Sequence, residues 1–229
     1  MSLIDFIHAK ARAFVVFLFS LLALGILILT TLVAGICPTD GYLFLLLAGI
    51  LLAVVAIPFH WNGKKWKTGY LISFLLNSVG SGLSVSALFV AKQLREEFLT
   101  RLLAALPATG ILFLVYLMLQ IFHKTKKVTV TIACLLNAAL TIGLMVLWIV
   151  HGYTLFCFAF FCSLVSFFYL CVFGVTVNHE ERSLLRDVSF GSFGSFIILT
   201  VVVVFILSEG EILDGVDVPD LGGRKKKRN

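Results

Sequence analysis

Residues 68–91 read TGYLISFLLNSVGSGLSVSALFVA, 24 positions without one Asp, Glu, Lys, Arg or His. The hydrocarbon core of a bilayer is about 30 Å thick, and a helix rising 1.5 Å per residue crosses it in about 20 residues. A stretch this long and this free of charge reads as a membrane-spanning helix. Its flanks agree, with Lys64, Lys65 and Lys67 before it and Lys92 after it.

Six more runs of the same kind lie at 13–39, 41–59, 102–122, 128–150, 152–178 and 188–208. The chain of 229 residues confines all its charged side chains and histidines to the 67 positions between these runs. Only 13% of residues are charged and 60% are hydrophobic, against roughly a quarter charged in a soluble domain, so a soluble globular protein is excluded. Lipid offers no hydrogen bond to an open backbone, so apolar runs of this length are helices. They lack the alternation of a transmembrane barrel. The expected fold is an all-α membrane bundle of seven transmembrane helices at 13–37, 42–59, 69–91, 102–122, 128–150, 153–177 and 189–208. A short cytoplasmic amphipathic N-terminus, 1–12, precedes this domain, and a charged tail, 209–229, follows it. The first run is too long for a cleaved signal core and is expected to be retained.

Loop charge sets the expected orientation. One side collects Lys10, Arg12, Lys64, Lys65, Lys67, Lys124, Lys126, Lys127, Arg182 and Arg186; the other has Lys92, Arg95 and Arg101, beside Glu96 and Glu97. The N-terminus is therefore expected in the cytoplasm, in the cytoplasmic membrane or, in a eukaryote, the endoplasmic reticulum. Seven spans then place the tail outside, although it ends in a basic block, Arg224 to Arg228. Acidic residues from Glu209 to Asp220 separate that block from the last span, and distal charge biases insertion less. A cytoplasmic tail would mean that one run fails to span or that the orientation inverts. The net charge of +6 is spread over loops and tail, so nucleic acid is not an expected partner; membrane lipids, other membrane subunits or a second copy are.

The third and fifth runs superpose at an offset of 60: Lys64 on Lys124, Lys67 on Lys127, and Leu75-Leu76-Asn77 on Leu135-Leu136-Asn137. The second, fourth and sixth end alike in Phe59-His60, Phe122-His123 and Asn178-His179. These matches suggest three tandem helical hairpins, runs one and two, three and four, five and six, followed by a lone helix.

Ionisable groups at bilayer depth usually mark function, and the runs contain none. That argues against proton-coupled transport through a buried carboxylate, retinal binding, carboxylate metal sites and intramembrane aspartyl proteolysis. No catalytic set is recognised and no cofactor is expected. Neutral polar residues remain. Ser73, Asn77, Ser81 and Ser84 share a helix face, either as a packing stripe or, with Asn137, as the lining of a polar path for a solute. Gly191 and Ser195 form a small-xxx-small packing contact. His60, His123 and His179, with His8, would share one depth in a ring of hairpins and could bind zinc or sense pH, although helix C-termini favour histidine in any case. The aromatic sixth run suits lipid or a partner helix, and the five cysteines read as packing residues. Three classes follow: a small transporter, channel or membrane-embedded substrate-binding component for a neutral or apolar solute; a non-catalytic membrane subunit or assembly factor; and a lipid-modifying enzyme.

Overall fold

The computed structural model describes residues 3–36, 41–92, 126–152, 154–178 and 183–208. All the secondary structure among them is helical: α1 (Leu3–Ile36), α2 (Tyr42–Asn62), α3 (Lys67–Ala91), α4 (Lys126–His151), α5 (Thr154–Asn178) and α6 (Leu184–Leu207). Each contains a stretch long and apolar enough to cross a bilayer. The described residues are thus all-helical, with six long apolar helices compatible with a membrane bundle. The run at 102–122, His123, His179, Cys37 and the tail at 209–229 lie outside the described residues.

Several helices extend past the expected spans. α1 starts at Leu3 rather than 13, so the segment expected as a separate N-terminus continues into the first helix, and α6 starts at Leu184 rather than 189. Helical hydrogen bonding has no reason to stop where the hydrocarbon does, and long cations near a helix end can reach the headgroups.

Position in the bundle follows polarity in the sense that lipid imposes. α3 is the least apolar of the six, yet it is the most buried. It packs against α1, α2 and α6, while α5 packs against α4, α6 and α1. Without a hydrophobic force between helices in lipid, close approach and hydrogen bonds decide which helix sits inside, and α3 has the small residues for both. A Cβ on Gly80 would lie 3.0 Å from the Gly49 carbonyl oxygen of α2, and one on Gly82 would lie 2.6 Å from Thr30 Cβ of α1. Thr31 Oγ1 fills that second crossing, bonded to the carbonyl oxygens of Leu27 and Gly82 at 2.7 and 3.2 Å. Phe74, Val85 and Leu88 of α3 join Leu27, Phe158, Phe161, Tyr169, Leu199 and Val203 in one apolar core. The α5 rings among these are interior, whereas Leu135, Leu136, Ile142, Ile149 and Val150 of α4 face outward.

Side-chain contacts fix the sense of each helix. Phe19 meets Phe74, and Thr30 lies beside Gly82, so α1 and α3 run parallel. Asn77 pairs with Ser192 and Ser84 with Thr200, so α6 runs parallel to α3. Val172 lies against Gly191 and Phe168 against Gly194, so α5 opposes α6; Thr141 meets Ser163 and Trp148 meets Phe160, so α4 opposes α5. α1, α3, α4 and α6 therefore share one direction, and α2 and α5 share the other.

The expected hairpins differ from the observed packing. α4 and α5 form a packed pair, but α1 and α2 make at most marginal contact, and α2 pairs with α3. The four-residue connection at 63–66 brings α2 and α3 together, because Gly63 and Gly69 leave room for the Tyr70 ring and the Phe59 carbonyl.

Candidate functional site

Steps of four, four and three place Ser73, Asn77, Ser81 and Ser84 on one face of α3, and all four are buried. Some hydroxyls are held by the helix itself: Ser78 Oγ donates to the Phe74 carbonyl oxygen and Ser81 Oγ to that of Asn77, both at 2.8 Å. The rest look toward α6. Asn77 Nδ2 approaches Ser73 Oγ and Ser192 Oγ at 3.5 Å each, and Ser84 Oγ shares a hydrogen bond with Thr200 Oγ1 at 3.0 Å. Ser192 Oγ donates to the Ser189 carbonyl oxygen at 2.7 Å, and Ser189 Oγ meets His60 Nδ1 at 2.9 Å. A file of neutral polar groups thus enters the bundle at the end that carries the α2–α3 turn: His60, Ser189, Ser192, Asn77 and Ser73, with Ser84 and Thr200 two turns deeper.

Asn77 is the irregular member. Its Oδ1 is buried with no hydrogen-bond partner among the described residues, and its two Nδ2 contacts exceed the usual 2.7–3.2 Å range. The amide orientation follows from Ser192, whose proton is committed to Ser189, so its oxygen can only accept from Asn77. An unanswered buried carbonyl costs about 1–3 kcal/mol, which a bound water or solute donor would recover. Ser86 Oγ and Tyr169 Oη are also buried without partners among the described residues.

Asn137 sits in a different arrangement, between α4 and α5. Thr141 Oγ1 donates to its carbonyl oxygen at 2.8 Å and shares a 2.7 Å hydrogen bond with Ser163 Oγ. Asn137 Oδ1 lies 3.4 and 3.5 Å from those two hydroxyls. The two asparagines share no hydrogen-bond partner, so the structure does not join them in one path.

At the turn end, the His60 ring stands edge-on to Tyr70, with centroids 5.5 Å apart, and lies against Phe190. A serine–histidine contact invites comparison with a nucleophile and its base. Ser189 is fully buried, and its contact with His60 lies at the turn end of the polar file. Of the histidines expected beside His60, His123 and His179 fall outside the described residues. Among the described residues, no three His, Cys, Asp or Glu side chains group closely enough to hold a metal.

Gly191 lies where a Cβ would enter the Val172 side chain of α5, and Ser195 Oγ donates to the Gly191 carbonyl oxygen at 2.9 Å. Two features escaped the sequence reading. Asp187, one position before the last run, is buried in the first turn of α6, where a carboxylate complements the helix dipole. The thiols of Cys134 and Cys171 are close enough to interact between α4 and α5, a pairing that no sequence spacing announces. Compared with known protein families, curated proteins and solved structures, the chain matches none.

Proposed function

We propose that this protein is a small transporter, channel or membrane-embedded binding component for a neutral solute able to form hydrogen bonds, and that the solute is read along the α3–α6 file. The observation that carries this reading is the Asn77 side-chain oxygen Oδ1, buried without a partner among the described residues in the middle of that file. A helix contact made only for stability would pair its amide, as most buried polar groups are paired. A solute with N–H or O–H groups answers Oδ1 and exchanges with the neighbouring hydroxyls. The file carries no formal charge between His60 and Thr200, which suits a neutral solute over an ion.

The crossing number proposed with it is seven. α3 and α4 share one direction, so the chain must change ends between Ala91 and Lys126, and the uncharged run 102–122 is long enough for that return. The basic α2–α3 turn then faces the cytoplasm, as does the N-terminus, in the cytoplasmic membrane or the endoplasmic reticulum. A second reading, a subunit that binds other membrane helices or a second copy, is favoured by the outward apolar face of α4, which is supported mainly by α5.

Stopped-flow light scattering of proteoliposomes tests the first reading, with urea and glycerol as probes. The native protein should admit at least one of them faster than protein-free vesicles, and Asn77→Leu should return that rate to the lipid background while folding to the same yield. Native and Asn77→Leu proteins with equal rates would reject it.

A further inference from the structure

The α2–α3 turn has a feature that passage of a solute does not use. Four backbone hydrogen bonds fix it: Gly63 N–H to the His60 oxygen, Lys65 N–H and Trp66 N–H to the Asn62 oxygen, and Gly69 N–H to the Trp66 oxygen, all between 2.8 and 3.2 Å. A Cβ on Gly63 would lie 2.5 Å from the Tyr70 ring, and one on Gly69 would lie 2.7 Å from the Phe59 carbonyl oxygen. The turn is therefore a rigid platform. From it Trp61, Lys64, Lys65, Trp66 and Lys67 all project outward, the two indoles 76% and 68% exposed.

Charge and chemistry on this platform are one-sided. No carboxylate occurs in the sequence between Asp40 and Glu96, so neither α2, the turn nor α3 can neutralise the lysines. α6 adds another cation, the exposed Arg186, whose charge bears on His60 at the end of α2, while its neighbour Asp187 is buried. Indoles this exposed are at home among lipid headgroups, where an apolar ring with one N–H donor meets both phases. With α2 and α3 across a bilayer, three ammonium groups and a guanidinium would stand near headgroup depth, where a phosphodiester comes within their reach.

We propose that the α2–α3 turn, with Arg186, is a binding site for the headgroup of an anionic phospholipid in the adjoining leaflet. The lysines and Arg186 hold the phosphate and any further anionic group, and Trp61 and Trp66 lie along the glycerol and upper acyl region. This rests on the chain being a membrane protein and not on the solute reading. Removing one cation is expected to lower the local preference for anionic lipid about fivefold.

The test uses the full chain with Trp148→Phe, which leaves Trp61 and Trp66 as its tryptophans. The protein is reconstituted in phosphatidylcholine containing a minor fraction of either phosphatidylglycerol or phosphatidylcholine brominated high on the acyl chains. Indole fluorescence should be quenched several-fold more by the brominated phosphatidylglycerol. Lys64→Gln, Lys65→Gln and Lys67→Gln together should remove that excess while leaving thermal unfolding in place, because these side chains are exposed. Equal quenching by the two lipids in the native turn would overturn the proposal, and so would an excess that survives the triple substitution. An excess abolished by dilute inorganic phosphate in the buffer would assign the site to a free anion and overturn the lipid assignment.

Discussion

Asn77 and Asn137 stand 60 residues apart at corresponding points of two parallel helices, and each has a hydroxyl four residues on that donates to its main-chain oxygen. Their side chains end differently. Asn137 Oδ1 has the hydroxyls of Thr141 and Ser163 at 3.4 and 3.5 Å, about as long as the Asn77 contacts, at the edge of the bundle in a helix that is otherwise largely exposed. Asn77 lies at the centre of the most buried helix, with long contacts and one oxygen unanswered. A polar group with hydroxyls of both helices in reach of its oxygen ties those helices together. One left incomplete in the middle of a bundle is available to something that arrives and leaves.

Substitutions can sharpen that contrast, beginning with the helices that carry the two residues. Gly82→Ala should destabilise the protein by about 1–3 kcal/mol, because the new methyl meets Thr30 and the Leu27 carbonyl. Gly143→Ala in α4 meets nothing within 4 Å and should stabilise by about 0.5–1 kcal/mol through helix propensity. Thermal unfolding in detergent reads both, and a loss of equal size would mean that α4 is as enclosed as α3.

The asparagines come next. Asn137→Leu should cost about 1–2 kcal/mol by taking the side-chain oxygen away from Thr141 and Ser163. Asn77→Leu should fall within about 0.5 kcal/mol of the native protein, because the orphan acceptor disappears with the weak bonds. A large loss for Asn77→Leu would turn the α3–α6 file into a structural seam. The coupling between Thr141→Val and Ser163→Ala is also small, expected at about 0.6 kcal/mol in a double-mutant cycle. A value near zero would show that the 2.7 Å contact adds nothing to the α4–α5 pairing.

Much of this was legible in the sequence because the bilayer imposes so few choices. Charge-free runs of helical length located all six described helices, and the four-residue rhythm from Ser73 to Ser84 announced the face that α3 buries. Pairing was harder to read. Chain order suggested that α1 would lie on α2, but Gly49 and Gly80 bring α2 onto α3, and a glycine stripe does not name its partner. Depth was the other gap. Asp187 looked like a loop residue because the charge-free run began one position later, yet α6 starts four residues earlier and carries it inside. The repeat offset paired the two asparagines, but it could not show that Ser192 would leave one of them incomplete, since that depends on a helix 115 residues away.

Both asparagine sites depend on α3 and α4 crossing a bilayer in the same direction. Single cysteines at Lys65, His151 and Ser183 in a cysteine-free chain, labelled in sealed vesicles with a membrane-impermeant thiol reagent, test this directly. Lys65→Cys and Ser183→Cys should react from one face and His151→Cys from the opposite face. Reaction of Lys65→Cys and His151→Cys from the same face would contradict the account.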